Sequence, residues 1–310
     1  MSQGELQLVN ENPLNFYSIK KTICAGRNSV YQALDTRSNR NVVLKTFPMR
    51  SRINEGYLRE KLHLARLDHP YIIQLYEAGD LATSTVLKIE EEVSYLALEY
   101  ASYGDVLEVI SKNGHFPEIL ARSAFHQLIN ALSYLHSENI AHLDLKVENL
   151  LLSEDLTIKL IDFDLSQVLG SSSFESKGTP GFRCPELKNG SCTDFKAADV
   201  YSCAVILFIL LSGFPPYREV SRGSRGDADF DAYYKALRNN PEKFWDAHSR
   251  HKNNPEFFSK EFKDLFVKMI AEKPENRPTI EEIMTSEWFQ GPVLEGEEYK
   301  EQMRKYLGLN

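Results

Sequence analysis

Residues 141–164, reading A-H-L-D-L-K-V-E-N-L-L-L-S-E-D-L-T-I-K-L-I-D-F-D, constrain this chain more than any other stretch. The runs Leu150-Leu151-Leu152 and Thr157-Ile158-Lys159-Leu160-Ile161 predict two short strands around a turn at Ser153-Glu154-Asp155. A hairpin there folds Asp162 back toward Asp144, Lys146 and Asn149, so that two carboxylates and an amide share one cleft. Each of these residues alone reads as a solvated side chain; only their joint spacing is informative. The set suits phosphoryl transfer, which needs a carboxylate to accept a hydroxyl proton and oxygen ligands for a Mg²⁺ ion on the phosphates.

The pattern H-x-D-L-K-x-E-N over 142–149, followed by D-F-x from Asp162, resembles the catalytic and metal-binding loops of protein kinases. The resemblance implies ATP as phosphoryl donor, Asp144 and Lys146 as catalytic residues, and Asn149 and Asp162 as Mg²⁺ ligands. It also implies an α+β, bilobal fold. A small antiparallel-sheet lobe is expected over about residues 16–100 and a larger, mainly helical lobe over about 101–290. A loose leader at 1–15 and a short charged tail at 291–310, without a calcium-binding loop or a second domain, flank them.

In the small lobe, strand-like runs occur at 17–19, 29–34 and 41–45, with 35–40 as a hairpin connection. The phosphate-covering loop falls at 24–29, where the family's G-x-G-x-x-G is reduced to the single Gly26 and is one residue short. Lys45 closes V-V-L-K, as does the family's phosphate-pairing lysine. A helix predicted over 52–67, with Leu58, Leu62 and Ala65 on one face, carries Glu60 as its ion-pair partner. Two more strands are expected at 72–76 and 94–100, separated by an exposed hairpin at 80–92. Glu99 and Ala101 lie where the family's hinge hydrogen-bonds adenine, and Ile23, Val30, Val43 and Leu151 where side chains line the nucleotide. Asp105 reads equally as a carboxylate near the ribose or as a cap of the helix that begins there.

In the large lobe, residues 117–136 predict a helix with Leu120, Ala124, Leu128, Ala131 and Leu135 on one face. The segment 178–186 resembles the G-T-P-x-Y-x-A-P-E of the substrate platform, with Cys184 in place of Ala. Glu148, Thr179 and Glu186 are its expected platform residues. Asp199 is expected to anchor the catalytic loop through its backbone, and Arg277 to pair with Glu186. Residues 221–226 read as a flexible insertion. The apolar run 200–214 is shorter than the ~20 residues a membrane crossing needs, so a buried helix is expected.

Two departures from the family stand out. Leu143 occupies the position of the arginine that gathers a phosphorylated activation loop, so phosphate on Ser171, Ser172, Ser173 or Ser176 is expected to matter little. Asp164 replaces the glycine of D-F-G, where glycine is permissive of positive φ.

Lys146 and the Gly-Thr-Pro-Gly segment resemble the serine/threonine branch, and Leu-Leu-Ser-Gly-Phe-Pro-Pro-Tyr at 210–217 is similar to the calcium/calmodulin-dependent group. The expected function is therefore transfer of the γ-phosphoryl of ATP to serine or threonine of proteins. The alternative is a catalytically weak pseudokinase scaffold, suggested by the poor glycine loop and Asp164. An enzyme phosphorylating small molecules would not need the 178–186 platform. A net charge of -8 argues against nucleic-acid or anionic-membrane partners and fits protein substrates basic around the acceptor, although it equally well keeps a protein soluble. Cys24, Cys184, Cys192 and Cys203 form no C-x-x-C pair, the N-terminus shows no secretion pattern, and Ser2 excludes myristoylation, so a cytoplasmic setting is expected, with the nucleus as the alternative.

Overall fold

Alternation of apolar side chains builds the sheet of the first of two compact units, which in the computed structural model comprises the chain up to Asp68 together with residues 73–100. The structure describes residues 12–26, 28–48, 54–84, 89–171, 178–222 and 227–309. The expectations for the leader before Asn12, for Arg27 in the phosphate-covering loop, for the start of the first helix at 52–53, for Ser172, Ser173 and Ser176, and for 223–226 lie outside them.

Strands β1 (Tyr17–Cys24), β2 (Ser29–Asp35), β3 (Arg40–Pro48), β4 (Leu75–Ser84) and β5 (Ile89–Glu99) form one antiparallel sheet in the order β1-β2-β3-β5-β4, with helix α1 (Glu55–Leu64). On β3, Val42, Leu44 and Thr46 are buried on one face and Val43, Lys45 and Phe47 point to the other, as the two-residue period of a strand requires. The Val42/Leu44 face packs with Tyr17, Ala33, Val93, Tyr95, Ala97 and also Leu14. Residues 13–16 are therefore part of this unit: Asn12 caps a single 3₁₀ turn, Pro13–Phe16, that places Leu14 against the sheet. The expectation of a loose leader up to residue 15 is thus corrected for residues 12–15. The two distal strands are longer than expected, β4 and β5 taking most of 80–92, while Ile72 makes only an isolated bridge to Leu160 in the second unit.

Helix α1 corrects the sequence reading in its buried face. Leu62 is 63% exposed and Ala65 is exposed; Tyr57, Glu60, His63 and Leu64 are buried. Apolar spacing misled because the inward stripe includes polar side chains, among them Tyr57, packing on Phe47 with ring centroids 5.1 Å apart, and Glu60, reaching Lys45. The Asn54 side chain caps the helix by accepting from the Tyr57 N–H.

The second unit, residues 69–72 and 101–309, is mainly helical. Helices α2 (Val106–Asn113) and α3 (Glu118–Ser137) are followed by β6 (Ile140–Ala141), the hairpin β7 (Leu150–Leu152) and β8 (Ile158–Leu160), and β9 (Gln167–Val168), which pairs with β6. Then come α4 (Pro185–Asn189), α5 (Phe195–Ser212), the hairpin β10 (Glu219–Arg222) and β11 (Asp227–Phe230), and α6 (Ala232–Asn239), α7 (Pro241–His251), α8 (Lys260–Met269), α9 (Ile280–Met284) and α10 (Gly296–Leu307). Helix α5 is long and apolar enough to cross a membrane, yet all but one of its side chains are buried in this unit, so it is the core helix. It starts five residues before the apolar run expected from sequence. The insertion read as flexible at 221–226 is, on both sides of 223–226, a paired hairpin with Glu219 opposite Phe230. The tail is likewise ordered: α10 buries Tyr299 and Met303 and sets Tyr306 edge-on against Phe116 at 4.7 Å.

Candidate active site

The β7–β8 hairpin pairs Leu150 with Leu160, and the next pair outward is closed by the Ile161 N–H donating to the Asn149 carbonyl at 3.0 Å. Leucine runs on both strands bury Leu150, Leu152, Ile158 and Leu160, which fixes the register. The consequence is that Asn149 and Asp162 leave the same end of the hairpin. Asn149 in turn reaches back, its Nδ2 donating to the Asp144 carbonyl at 2.9 Å.

Asp144 is 6% exposed and lies at the centre of a small network. Lys146 Nζ donates to Asp144 Oδ2 at 2.7 Å and to Thr179 Oγ1 at 3.0 Å, and the Thr179 hydroxyl donates to Asp144 Oδ1 at 2.6 Å. Burial alone would lower the pKa of the Lys146 ammonium. The hydrogen bond and charge of Asp144, with Asp162 and Glu148 nearby, more than reverse this and hold it above the ordinary lysine value. Lys146 therefore stays a cation at neutral pH.

The backbone under this network is held by a second carboxylate. Asp199, fully buried near the start of α5, accepts the N–H of His142 at 2.9 Å on Oδ2 and of Leu143 at 2.8 Å on Oδ1. His136 Nε2 donates to Oδ2 at 3.0 Å. Leu143 has φ 63°, a conformation an apolar L-residue adopts only under constraint, at a cost of about 1–3 kcal/mol. Its two neighbours supply that constraint, because the His142 ring also donates from Nε2 to the Ile161 carbonyl at 3.0 Å while its Nδ1 accepts the Asp144 N–H at 3.3 Å. Leu143 itself is buried, and its carbonyl would lie 3.0 Å from a Cβ at Gly178, where φ is +59°. Glycine at 178 is thus required twice over, for conformation and for close approach.

Asp162, not Asp164, takes the left-handed conformation, with φ 68°, and Asp164 is not among the described residues of positive φ. The replacement of glycine at 164 therefore meets no backbone penalty. Of the platform residues, Thr179 joins the Asp144 network. Glu186 pairs with Arg277, whose Nη2 donates to Oε2 at 2.9 Å; Arg277 also donates to the Ala271, Ala197 and Glu272 carbonyls and lies 4.9 Å over the Tyr201 ring. Burial raises the pKa of Glu186, but the Arg277 and Cys184 contacts outweigh it and hold it below the usual carboxylate value. Glu148 stands apart, with a buried Oε2 that finds no hydrogen-bond partner among the described residues. Leu151 is half-buried in β7 and bridges to Asp105, which caps α2 by accepting the Glu108 N–H at 2.8 Å. The capping reading of Asp105 is thus satisfied. Ala101 is buried.

In the first unit, Lys45 Nζ donates to Glu60 Oε2 at 2.7 Å, joining β3 to α1. Val43 is on the same face, and Val30 pairs with both Lys45 and Cys24 across β2. Ile23 is half-exposed at the end of β1, and Gly26 has neither positive φ nor a close neighbour to exclude a Cβ, so the degenerate loop does not depend on it. Glu99 ends β5, exchanging backbone and side-chain bonds with Gln74.

The protein kinase domain family matches residues 17–289. The chain belongs to that family. Among curated relatives, "CBL-interacting protein kinase 11" of Oryza sativa subsp. japonica is 33% identical over 287 residues, covering 89% of this chain and 52% of that protein. "CBL-interacting serine/threonine-protein kinase 26" of Arabidopsis thaliana is 32% identical over 283 residues, covering 88% and 58%. The chain spans about half the length of the curated relatives it matches. The two-unit α+β architecture, an antiparallel sheet unit and a helical unit, is that of the kinase domain.

Sequence reasoning missed two features of this domain. His136 shares the Asp199 carboxylate, although only its position on α3, facing a residue far along the chain, could have signalled it. Arg183, within the platform segment, is bound by Glu219 of β10: Glu219 Oε2 accepts from Arg183 Nε at 3.1 Å and from the Gly181 N–H at 3.2 Å. Nothing in the sequence joins these positions, because the pairing depends on where the β10–β11 hairpin folds.

Proposed function

We propose that this domain transfers the γ-phosphoryl group of ATP to serine or threonine hydroxyls of protein substrates. The observation that carries the reading is the Asp144–Lys146–Thr179 network, in which a buried carboxylate and a permanently charged ammonium sit 2.7 Å apart on a backbone fixed by Asp199. Asp144 orients the acceptor hydroxyl and takes its proton as the oxygen attacks phosphorus; the bond from the γ-phosphorus to the bridging oxygen breaks and ADP leaves. Lys146 places its charge where negative charge accumulates on the transferring group. In the first unit, Lys45, paired with Glu60, is assigned by the resemblance to the nucleotide phosphates, Ile23, Gly26, Val30 and Val43 to the nucleotide and Glu99 to adenine; in the second unit, Ala101, Asp105 and Leu151 occupy positions that the resemblance gives to nucleotide binding.

Asn149 and Asp162 fit a Mg²⁺ ion: both offer hard oxygen donors, both leave the same hairpin end, and the Asn149 amide nitrogen is already committed to the Asp144 carbonyl, which turns its oxygen away from that bond. A Mg²⁺ ion held there would neutralise phosphate oxygens. The unpartnered oxygen of Glu148 favours substrates with arginine two or three residues before the acceptor, because a desolvated carboxylate gains most from a bidentate guanidinium. The net charge of -8 supports protein substrates over nucleic acid or an anionic membrane, and four free thiols fit a cytoplasmic setting.

The test is transfer from γ-labelled ATP with Mg²⁺ to a mixed protein substrate, followed by phosphoamino-acid analysis, wild type against Asp162→Ala. Label on serine and threonine that Asp162→Ala abolishes is the expected result. Nucleotide binding without transfer above that variant would favour a scaffold, and an acidic or proline-directed peptide preference would remove the role given to Glu148.

A further inference from the structure

In the second unit, away from the catalytic network, the segment 214–218, the start of α6 and the end of α7 enclose a cavity of about 650 Å³ whose walls include Phe214, Arg218, Tyr233, His248 and Lys252. We propose that this cavity docks an acidic segment of a partner protein, one that presents a carboxylate beside an apolar side chain. The proposal does not depend on the catalytic reading.

Charge complementarity carries it. In a chain of net charge -8, this cavity holds Arg218 and Lys252, and neither forms an ion pair among the described residues. Lys252 is half-buried, its Nζ 5.2 Å from the Phe214 ring centre and 5.1 Å from that of Phe257. Burial, with no compensating acid, lowers its pKa. The one carboxylate in the lining among the described residues, Asp231, is already spent: Oδ1 accepts the N–H groups of Tyr233 and Tyr234, and Oδ2 that of Arg218. It caps α6 and offers little to either cation.

A second observation points the same way. His248 is 2% exposed, its Nε2 donates to the Pro216 carbonyl at 3.0 Å, and its Nδ1 has no hydrogen-bond partner among the described residues. Its ring stacks on Phe214, centroids 5.4 Å apart and tilted by only 17°, and lies 4.8 Å from Tyr233. Burial pushes its pKa down to about 4, so it stays neutral and serves as part of an aromatic wall. Aromatic walls beside cations without an acid partner are what an apolar residue followed by a carboxylate requires: the ring surfaces take the apolar group, half-buried Lys252 recovers from the acid the hydration it has lost, and exposed Arg218 adds its charge. A basic or neutral segment would leave that cost in place.

Binding is read by fluorescence anisotropy, titrating the whole chain into a fluorescein-labelled peptide in which Leu-Phe is flanked on each side by two glutamates. Saturable binding is expected, weakened on the order of tenfold when the glutamates become glutamines and by a similar factor in Lys252→Gln, the scale of one charge-assisted hydrogen bond. Arg218→Gln, at an exposed position whose loss does not threaten folding, should weaken it several-fold, and Lys260→Gln, an exposed lysine paired with Asp264 outside the cavity, should not. Equal affinity for the glutamine peptide, an equal loss in Lys260→Gln, or no saturation would overturn the proposal. So would a self-associated state in sedimentation that Lys252→Gln dissolves, because the occupant would then be a second copy of this chain.

Discussion

Lys45–Glu60 in the sheet unit and Lys146–Asp144 in the helical unit are both lysine–carboxylate pairs at 2.7 Å, yet they are held in opposite ways. The first joins a strand to a helix through a charged contact between the two elements, and its geometry depends on where α1 lies. The second spans two residues of one loop, whose backbone is tied by Asp199, His142 and Asn149. A charge pair that depends on packing between elements can be retuned by moving one of them. A pair built into a pinned loop is fixed as soon as the loop folds.

The widest separation between the two designs should come from removing a deep anchor. In Glu186→Gln, Arg277 would lose its only acid partner among the described residues while remaining buried, and breaking such a pair costs about 3–5 kcal/mol. Chemical denaturation measures it. The same pair makes a pH prediction: the folded-state pKa of Glu186 lies below its unfolded value, so the stabilisation is complete above the ordinary glutamate pKa of about 4.3 and is lost as pH falls through the lower folded value. Wild type should lose stability over that acidic window more steeply than Glu186→Gln, and parallel curves would refute the assignment.

Asp199→Asn presents an amide where N–H donors converge. We expect a loss of about 1–3 kcal/mol in stability, the cost of buried donors left unmet, and a fall of more than about tenfold in phosphoryl transfer as Leu143 relaxes from its strained φ. Stability loss with unchanged transfer would mean that the loop is held well enough without it. Glu60→Gln is the matching change in the sheet unit. Transfer should fall by about tenfold, roughly 1.4 kcal/mol of barrier, with a smaller change in stability, since Lys45 keeps some access to water. A larger stability loss than in Asp199→Asn would reverse the contrast drawn here.

How much of this was legible in the sequence follows the same division. The catalytic loop was, because Asp144, Lys146, Asn149 and Asp162 lie within one hairpin whose leucine runs announce it. Asp199 and Arg277 were reached only through resemblance, being far along the chain. The inward face of α1 was misread, since its contacts are to Phe47 and Lys45 and its stripe includes Tyr57 and Glu60, which apolar periodicity does not register. Leu14, the Glu219–Arg183 clasp and the buried face of α10 escaped for a related reason: each is short or amphipathic locally and acquires meaning only against a surface made elsewhere.

Asp164→Gly should have the smallest effect, within a few-fold on transfer at saturating Mg²⁺, because residue 164 does not adopt the positive φ that glycine would favour. A large loss would show that the Asp164 carboxylate, not the backbone, is what matters there.

The most direct measurement is the single-turnover rate of phosphoryl transfer in wild type and Asp144→Asn, each saturated with ATP and Mg²⁺. If Asp144 accepts the hydroxyl proton within the pinned loop, the amide should lower the rate by at least about 100-fold, the lower end of general-base catalysis, with nucleotide affinity nearly unchanged. A rate within a few-fold of wild type would contradict the account.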